Sequence, residues 1–282
     1  MLPFGSRLSI SGIVRNVSSA KRSTWTQSSS PRRVLSYLSN RNLLAQPRFF
    51  SSSSDVVSFM DVSADHPLLK DPRFPGPVDG IPATTRLLTL LAAHVAKGEL
   101  DAVKEDWAFL PEHEHDNGFE IILQTFLFGG LPRVINALSA IRQMDKMKAP
   151  EKEHDGEPAN YTKRGEDLNK AIYGKQYDKL RQRVAMLHPD LDHWMIEIAY
   201  GRVLARPGPT LRDRELCLVS VLAGMNCAPQ LISHIRGSIH SGANFDQVRR
   251  VLDQTIWLWG LYAQKHVDGV WREFMSQEHK NL

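Results

Sequence analysis

Apolar residues recur every three or four positions along most of this chain, in blocks separated by glycine and proline. That spacing lines one side of a helix, so the pattern predicts a helical protein. A first helix opens near Thr84 or Thr85, uses Leu87, Leu88, Leu91 and Val95, and ends at Gly98. Leu100, Val103, Trp107 and Leu110 mark a second, followed by the polar loop PEHEHDN. In helix 176–187, Leu180, Val184 and Leu187 form the apolar side. Pro189 breaks it, Asp190 caps the next, and Leu191, Trp194 and Ile198 turn inward. Residues 206–260 carry the clearest pattern, three consecutive helices. Thr210 is the N-cap of the first, with Asp213 three residues on and Leu211, Leu218, Val219 and Leu222 on one face. Pro229 suits the first turn of the second, which buries Leu231, Ile232, Ile235 and Ile239 and closes at Gly242. The third opens at Asn244 with Gln247 as reciprocal cap and runs to Gly260. A last helix carries Val270, Trp271 and Phe274.

Polar residues on these apolar faces are the candidates for chemistry. Glu215 lies between Leu211 and Leu218 on their stripe. A carboxylate there loses solvation, so its pKa is expected to rise unless a cation or donor meets it. His234 borders the apolar side of the following helix. On adjacent antiparallel helices the two could face each other across a small pocket and relay protons. A buried pair that only satisfies itself fits the same spacing. Arg214 and Arg236 could hold a substrate carboxylate bidentately, or be solvated surface charges. Cys227 stands at a helix N-terminus, which acidifies a thiol, yet it also reads as a small buried hydrophobe. His113 and His115, spaced i, i+2 with no second ligand cluster, read as part of a solvated loop, so no metal is expected. Gly129–Gly130 follows a helix and lacks the strand–loop–helix setting of a phosphate loop.

Several strings carry a family resemblance: R-P-G at 206–208, R-E-L at 214–216, Q-L-x-x-H-I-R-G-S-I at 230–239, S-G-A at 241–243, V-L-x-Q at 251–254 and W-G at 259–260. Upstream, RGEDLNKAIYG (Arg164–Gly174) and WMIEIAYGRV (Trp194–Val203) fit the same pattern. Together they resemble the carboxymuconolactone decarboxylase family over roughly residues 164–273. The resemblance implies an all-α, AhpD-like helical bundle that assembles as trimers or hexamers. It implies a lyase acting without cofactor on a small carboxylated lactone or related acid, with Glu215 and His234 handling protons and Arg214 or Arg236 holding the carboxylate. AhpD-like peroxidase partners use C-x-x-C-x-x-x-H. Here Cys227 and His234 keep two of its positions and Gln230 replaces the second cysteine, which excludes a two-thiol cycle at this motif. A redox protein centred on Cys227 is one alternative; a non-catalytic assembly or binding protein is another.

The string from Glu120 through Gln124 and Gly130 to Pro132 resembles the end-of-domain helix and turn of the same family. The stretch Val251 to Tyr262 repeats its register, with glycine six residues after glutamine in both copies, but has Arg250 and Tyr262 in place of Glu120 and Pro132. This points to two pseudo-repeated halves. Counting back from each glutamine finds His234 in the second half and Lys104 in the first, so the first reads as a degenerate copy. The expected organisation is a leader at 1–50, a proline-rich extended arm at 51–80, the degenerate half at 81–147, a charged linker at 148–163, and the decarboxylase-like domain at 164–282.

Charge changes one part of this picture. The net +4 arises in residues 1–54, which hold eight basic residues and no Asp or Glu. Without them, 27 cationic residues face 31 anionic ones, so the basic balance is no argument for nucleic-acid binding. An Arg- and Ser-rich, acid-free leader has the composition of a mitochondrial transit peptide, and Arg48-Phe49-Phe50-Ser51 resembles a matrix-protease site. The expected location is the matrix, where Cys217 and Cys227 stay reduced. No apolar run reaches the length of a membrane span.

Overall fold

The computed structural model describes residues 62–145 and 159–279; the expected leader and most of the expected linker lie outside them. The described residues form helices and loops without a strand. The first set comprises α1 (Ala83–Lys97), α2 (Leu100–Ala108), α3 (His115–Gln124) and α4 (Phe126–Asp145). Three connecting helices follow: α5 (Ala159–Tyr173), α6 (Tyr177–Leu187) and α7 (Pro189–Trp194), the last running on as a π-helix over Met195–Leu204. The second set comprises α8 (Leu211–Gly224), α9 (Ala228–His240), α10 (Phe245–Trp259) and α11 (Leu261–His279).

Helix α8 is the axis of the bundle. Every residue from Arg214 to Ala223 is buried. Cys217 and Val221 enter a core built on Leu87, Leu91, Trp107, Ile121 and Ile141. Leu216, Val219 and Leu222 enter a second core with Leu231, Ile235, Val248 and Val251. Leu218 meets Ile172, Ile196 and Tyr200 in a third. A helix enclosed on all sides must be apolar all round or pair its polar groups. Ser220 accordingly donates to the Thr89 carbonyl at 2.8 Å.

The local signals act as read. The Asp213 amide donates to Thr210 Oγ1 at 3.2 Å, and Asn244 and Gln247 form a complete capping box. Matching positions of the two helix sets also share conformation. Pro82 and Thr210 flank α1 and α8 with nearly equal dihedrals, φ −57, ψ 156 and φ −58, ψ 155. Gly130 and Gly260 adopt φ 76, ψ 166 and φ 78, ψ −166. Each set's glutamine holds the other set's arginine: Arg86 Nε donates to Gln254 Oε1 at 2.7 Å, and Arg214 Nη1 to Gln124 Oε1 at 3.2 Å. Counted from the helix starts, His234 of α9 corresponds to Asp106 of α2, not to Lys104. The loops ahead of the two glutamines differ in length, and this shifts the register.

Five other expectations change. PEHEHDN is not a loop; α3 begins at His115, whose ring stacks on Trp107 with centroids 4.5 Å apart. His188, not Asp190, caps α7, because Pro189 occupies the first turn and the Asp190 amide donates to His188 Nδ1. Leu191 and Trp194 face outward at 44% and 55% exposure. Residues 159–163 of the expected linker are already helical in α5. The arm, described from Val62, lies largely at the surface but opens with two short helical turns and anchors side chains in the bundle. His66 and Phe74 are buried, Phe74 meets Trp257 edge to face, and Gln247 donates to the Asp79 carbonyl.

Candidate functional site

Helices α8 and α9 bring Glu215 and His234 together. His234 Nδ1 lies 2.8 Å from Glu215 Oε2, and the two residues are 1% and 6% exposed. The donor that the sequence left open is therefore the histidine. Gly237, one turn further along α9, makes the approach possible, since a Cβ there would stand 2.5 Å from Glu215 Oε2. Phe128 of α4 presents its ring at right angles to the His234 imidazole, centroids 5.6 Å apart. The other carboxylate oxygen, Glu215 Oε1, is buried without a hydrogen bond.

A second polar pair borders this one. Tyr173 at the end of α5 and Tyr200 in the π-helix place their hydroxyls 3.0 Å apart. Their two segments cross at Gly165 and Gly201, where any Cβ would collide with the carbonyl of Ile196 or Tyr161. That explains the glycines of the RGEDLNKAIYG and WMIEIAYGRV strings. His240 Nδ1 holds the end of α9 to the Ile172 carbonyl at 2.8 Å. Burial, followed by the Glu215 charge, pushes the Tyr173 phenol well above its ordinary value. Tyr200 is likewise raised well above its ordinary value, by burial and then by Tyr173 and Glu215. Both phenols therefore stay protonated and act as donors, not bases. Asn169, one turn before Tyr173, is fully buried, and its side chain engages the Tyr200 hydroxyl. Glu215 Oε1 is thus left as a buried acceptor in an apolar setting, where such a group is costly unless something polar meets it.

Tyr173 also lines a cavity of about 120 Å³ between α5, α6 and α9. Its other walls are Gln176, Lys179, Leu180, Arg183, Ser233 and Arg236. Arg236 is shared with Gln277 at 3.2 Å and Glu278 at 3.3 Å. Lys179 and Arg183 form no ion pair among the described residues.

The sequence candidates therefore divide. Glu215 and His234 meet, while Arg236 lines the cavity, whose walls include neither of them. Arg214 does not join them: it is 2% exposed and donates to Gln124, to Glu120 at 3.2 Å, and to the carbonyls of Arg206 and Pro207. Cys227 is the N-cap residue of α9, with Sγ 3.5 Å from the Met225 carbonyl, while Cys217 is buried and burial pushes its thiol well up. Both are free thiols. His115 Nε2 lies 3.1 Å from the Leu110 carbonyl. Among the described residues no group of three or more His, Cys, Asp or Glu is arranged to hold a metal ion. The residues missed from sequence are Asn169, Tyr173 and Tyr200. The available signal was Asn169 and Tyr173 at i, i+4 on the same face of α5, beside Ile172.

No single described helix is long and apolar enough to cross a membrane. No family model matches the chain. A similar curated protein is Peroxisomal protein 2 of Schizosaccharomyces pombe, 25% identical over 132 residues. The match covers 46% of this chain and 62% of that protein, so the chain spans less than two thirds of its relative's length.

Proposed function

We propose that this chain is a cofactor-free carbon–carbon lyase of the carboxymuconolactone decarboxylase type, acting on a small carboxylated lactone or related acid. The observation that carries the reading is the buried Glu215–His234 pair, with one carboxylate oxygen engaged at 2.8 Å and the other unpaired. A purely structural pair has no use for an orphaned carboxylate oxygen at 1% exposure. In the proposed reaction the bond to the substrate carboxylate breaks and CO2 leaves. The electron pair stays on carbon as an enolate conjugated with the lactone carbonyl. That carbon then takes a proton from the His234–Glu215 pair, which recovers one from solvent. Arg236 at the cavity holds the substrate's anionic end.

The same reading treats α1–α4 and α8–α11 as copies of one AhpD-like unit, of which only the second carries the Glu–His pair. It also retains the matrix location and a trimeric or hexameric homo-oligomer. The fission yeast relative is named for the peroxisome. Import of the full chain into isolated mitochondria, with processing and protease protection, is the outcome expected here. Co-migration of the unprocessed chain with a peroxisomal marker would end the matrix assignment.

The activity test is CO2 release from carboxylated γ-lactones in D2O, with deuterium read at the carbon that lost its carboxylate. Glu215→Gln and His234→Gln are each expected to lower turnover about 10²–10⁴-fold while melting at or above wild type, because removing strained polar groups from a site relieves the fold. If both variants instead melt lower, by about 1–3 kcal/mol, and no lactone turns over, the pair is structural and the lyase reading fails.

A further inference from the structure

The cavity and the buried Glu215–His234 pair are neighbours without an assigned link, and Tyr173 belongs to both. Its ring lines the cavity, and its hydroxyl lies close enough to Glu215 to feel that charge. We propose that Tyr173 is the hydrogen-bond donor for the enolate oxygen of the substrate, that Tyr200 positions it, and that Lys179 and Arg183 hold the anionic end of the same molecule at the mouth of the cavity. This rests on the lyase reading above for the word enolate, but the site itself is defined by its hydrogen bonds.

Tyr173 and Tyr200 are both buried, and either hydroxyl can donate across the 3.0 Å between them. We take Tyr200, which the Asn169 side chain also engages, as the donor. With Tyr200 donating, the Tyr173 oxygen accepts and its own hydrogen is left for the cavity. Tyr173 makes no other hydrogen bond among the described residues. A phenol kept protonated at the wall of a cavity is a fixed donor, the kind of group that stabilises developing oxyanion charge without reorganising.

The cationic rim supplies the other contact. Lys179 and Arg183 stand one turn apart on α6, on the same side, and Arg236 approaches from α9. Arg183 and Arg236 line the same cavity as Tyr173. Glu278 partly neutralises Arg236, whereas Lys179 and Arg183 lack a carboxylate partner among the described residues. An acid held at the rim therefore reaches Tyr173 with its other end.

The probe for this site is 4-hydroxy-3-nitrobenzoate, with benzoate as the reference that lacks the phenol. Its absorption reports the phenolate directly, and the full chain is used. Wild type is expected to bind the probe as phenolate. Tyr173→Phe is expected to keep benzoate affinity within about twofold but to lower the phenolate-to-phenol ratio of the bound probe about tenfold, the loss of one hydrogen bond to a charged group. Tyr200→Phe should move that ratio the same way by less. Lys179→Met with Arg183→Met should weaken both ligands about tenfold and leave the bound ratio unchanged. An unchanged ratio in Tyr173→Phe overturns the proposal, as does full affinity in the double variant or no binding to wild type. Turnover separates this inference from the lyase reading. If the probe behaves as described and no carboxylated acid reacts, the lyase reading fails and the anion–donor site stands. If a lactone turns over and Tyr173→Phe leaves kcat untouched, the donor role fails alone.

Discussion

Gly237 of α9 and Glu215 of α8 are a matched pair: the glycine leaves the space the carboxylate occupies, and a Cβ would stand 2.5 Å from Oε2 and 3.0 Å from the carboxyl carbon. Alanine in a helix interior is normally favoured over glycine by about 0.5–1 kcal/mol. Here the collision works against that gain, because Glu215 is enclosed and cannot swing away without abandoning His234. Gly237→Ala is expected to lower stability by about 1–3 kcal/mol and to abolish turnover. Thermal unfolding checks the first, and an alanine variant as stable as wild type would mean that the helices can separate.

The two arginines that looked alike in sequence should behave differently. Arg214 answers Glu120, which is itself shared with Arg206 at 2.9 Å. Arg214→Met leaves buried acceptors without their donor and is expected to cost about 3–5 kcal/mol. Arg236→Met should leave the melting temperature nearly unchanged, since its partners Gln277 and Glu278 lie at the end of α11. It should instead weaken benzoate binding. Equal melting losses in the two variants would contradict this division.

Asp106 sits between two histidines, with His94 Nδ1 2.6 Å from Oδ2 and His66 Nε2 3.2 Å from Oδ1. His66 comes from the arm, so this cluster fastens the arm to α1 and α2. Burial alone would lower His94, but the Asp106 charge and hydrogen bond outweigh it and hold His94 above its ordinary value. Burial opposes the Asp106 charge too, yet His94 and the bonds from both histidines hold its carboxyl below the usual range. A raised histidine stabilises fully below its unfolded pKa of about 6.5 and loses that contribution as pH rises through the folded value. A lowered aspartate stabilises fully above about 3.9 and loses its contribution as pH falls through the folded value. Asp106→Asn should therefore cost most between about pH 4 and 6.5, by about 3–5 kcal/mol, with the gap narrowing on either side. Denaturant unfolding across pH reads this directly, and a pH-independent gap would remove the ionic account.

Gly130 and Gly260 share a positive φ with extended ψ, a region that only glycine adopts without strain. Nothing lies within 4 Å of a Cβ at Gly260, and at Gly130 the nearest atom is Pro132 Cδ at 3.8 Å. An alanine at either position thus meets strain rather than a clash, and each is expected to cost about 1–3 kcal/mol. Similar losses at both would match the correspondence between the two helix sets. A neutral Gly260→Ala would show that the turn into α11 relaxes freely.

Local signals were legible because they depend on atoms a few residues apart. The Thr210 cap, the Asn244–Gln247 box and the stop at Gly98 each close within one turn of chain. Glu215 and His234 were also readable, since a short connection between adjacent helices leaves few ways to place them. The anchoring of the arm at Phe74 and Asp79 was not legible, because it depends on residues far along the chain, Trp257 and Gln247, to which no proline pattern points. Lys104 was misread for Asp106 because register was counted from the wrong end of a variable loop.

The amino-acid order by itself determined the helices, their ends, the two glycine breaks and the carboxylate–imidazole pairing, since periodicity and capping are short-range properties of the chain. Only the tertiary structure decided that Arg214 serves the frame while Arg236 faces a cavity, and that Tyr173 and Tyr200 come within reach of the Glu215 charge. Those outcomes depend on which helix crosses which. The crossing of α5 with the π-helix at Gly165 and Gly201 is settled by close backbone packing between segments remote in sequence.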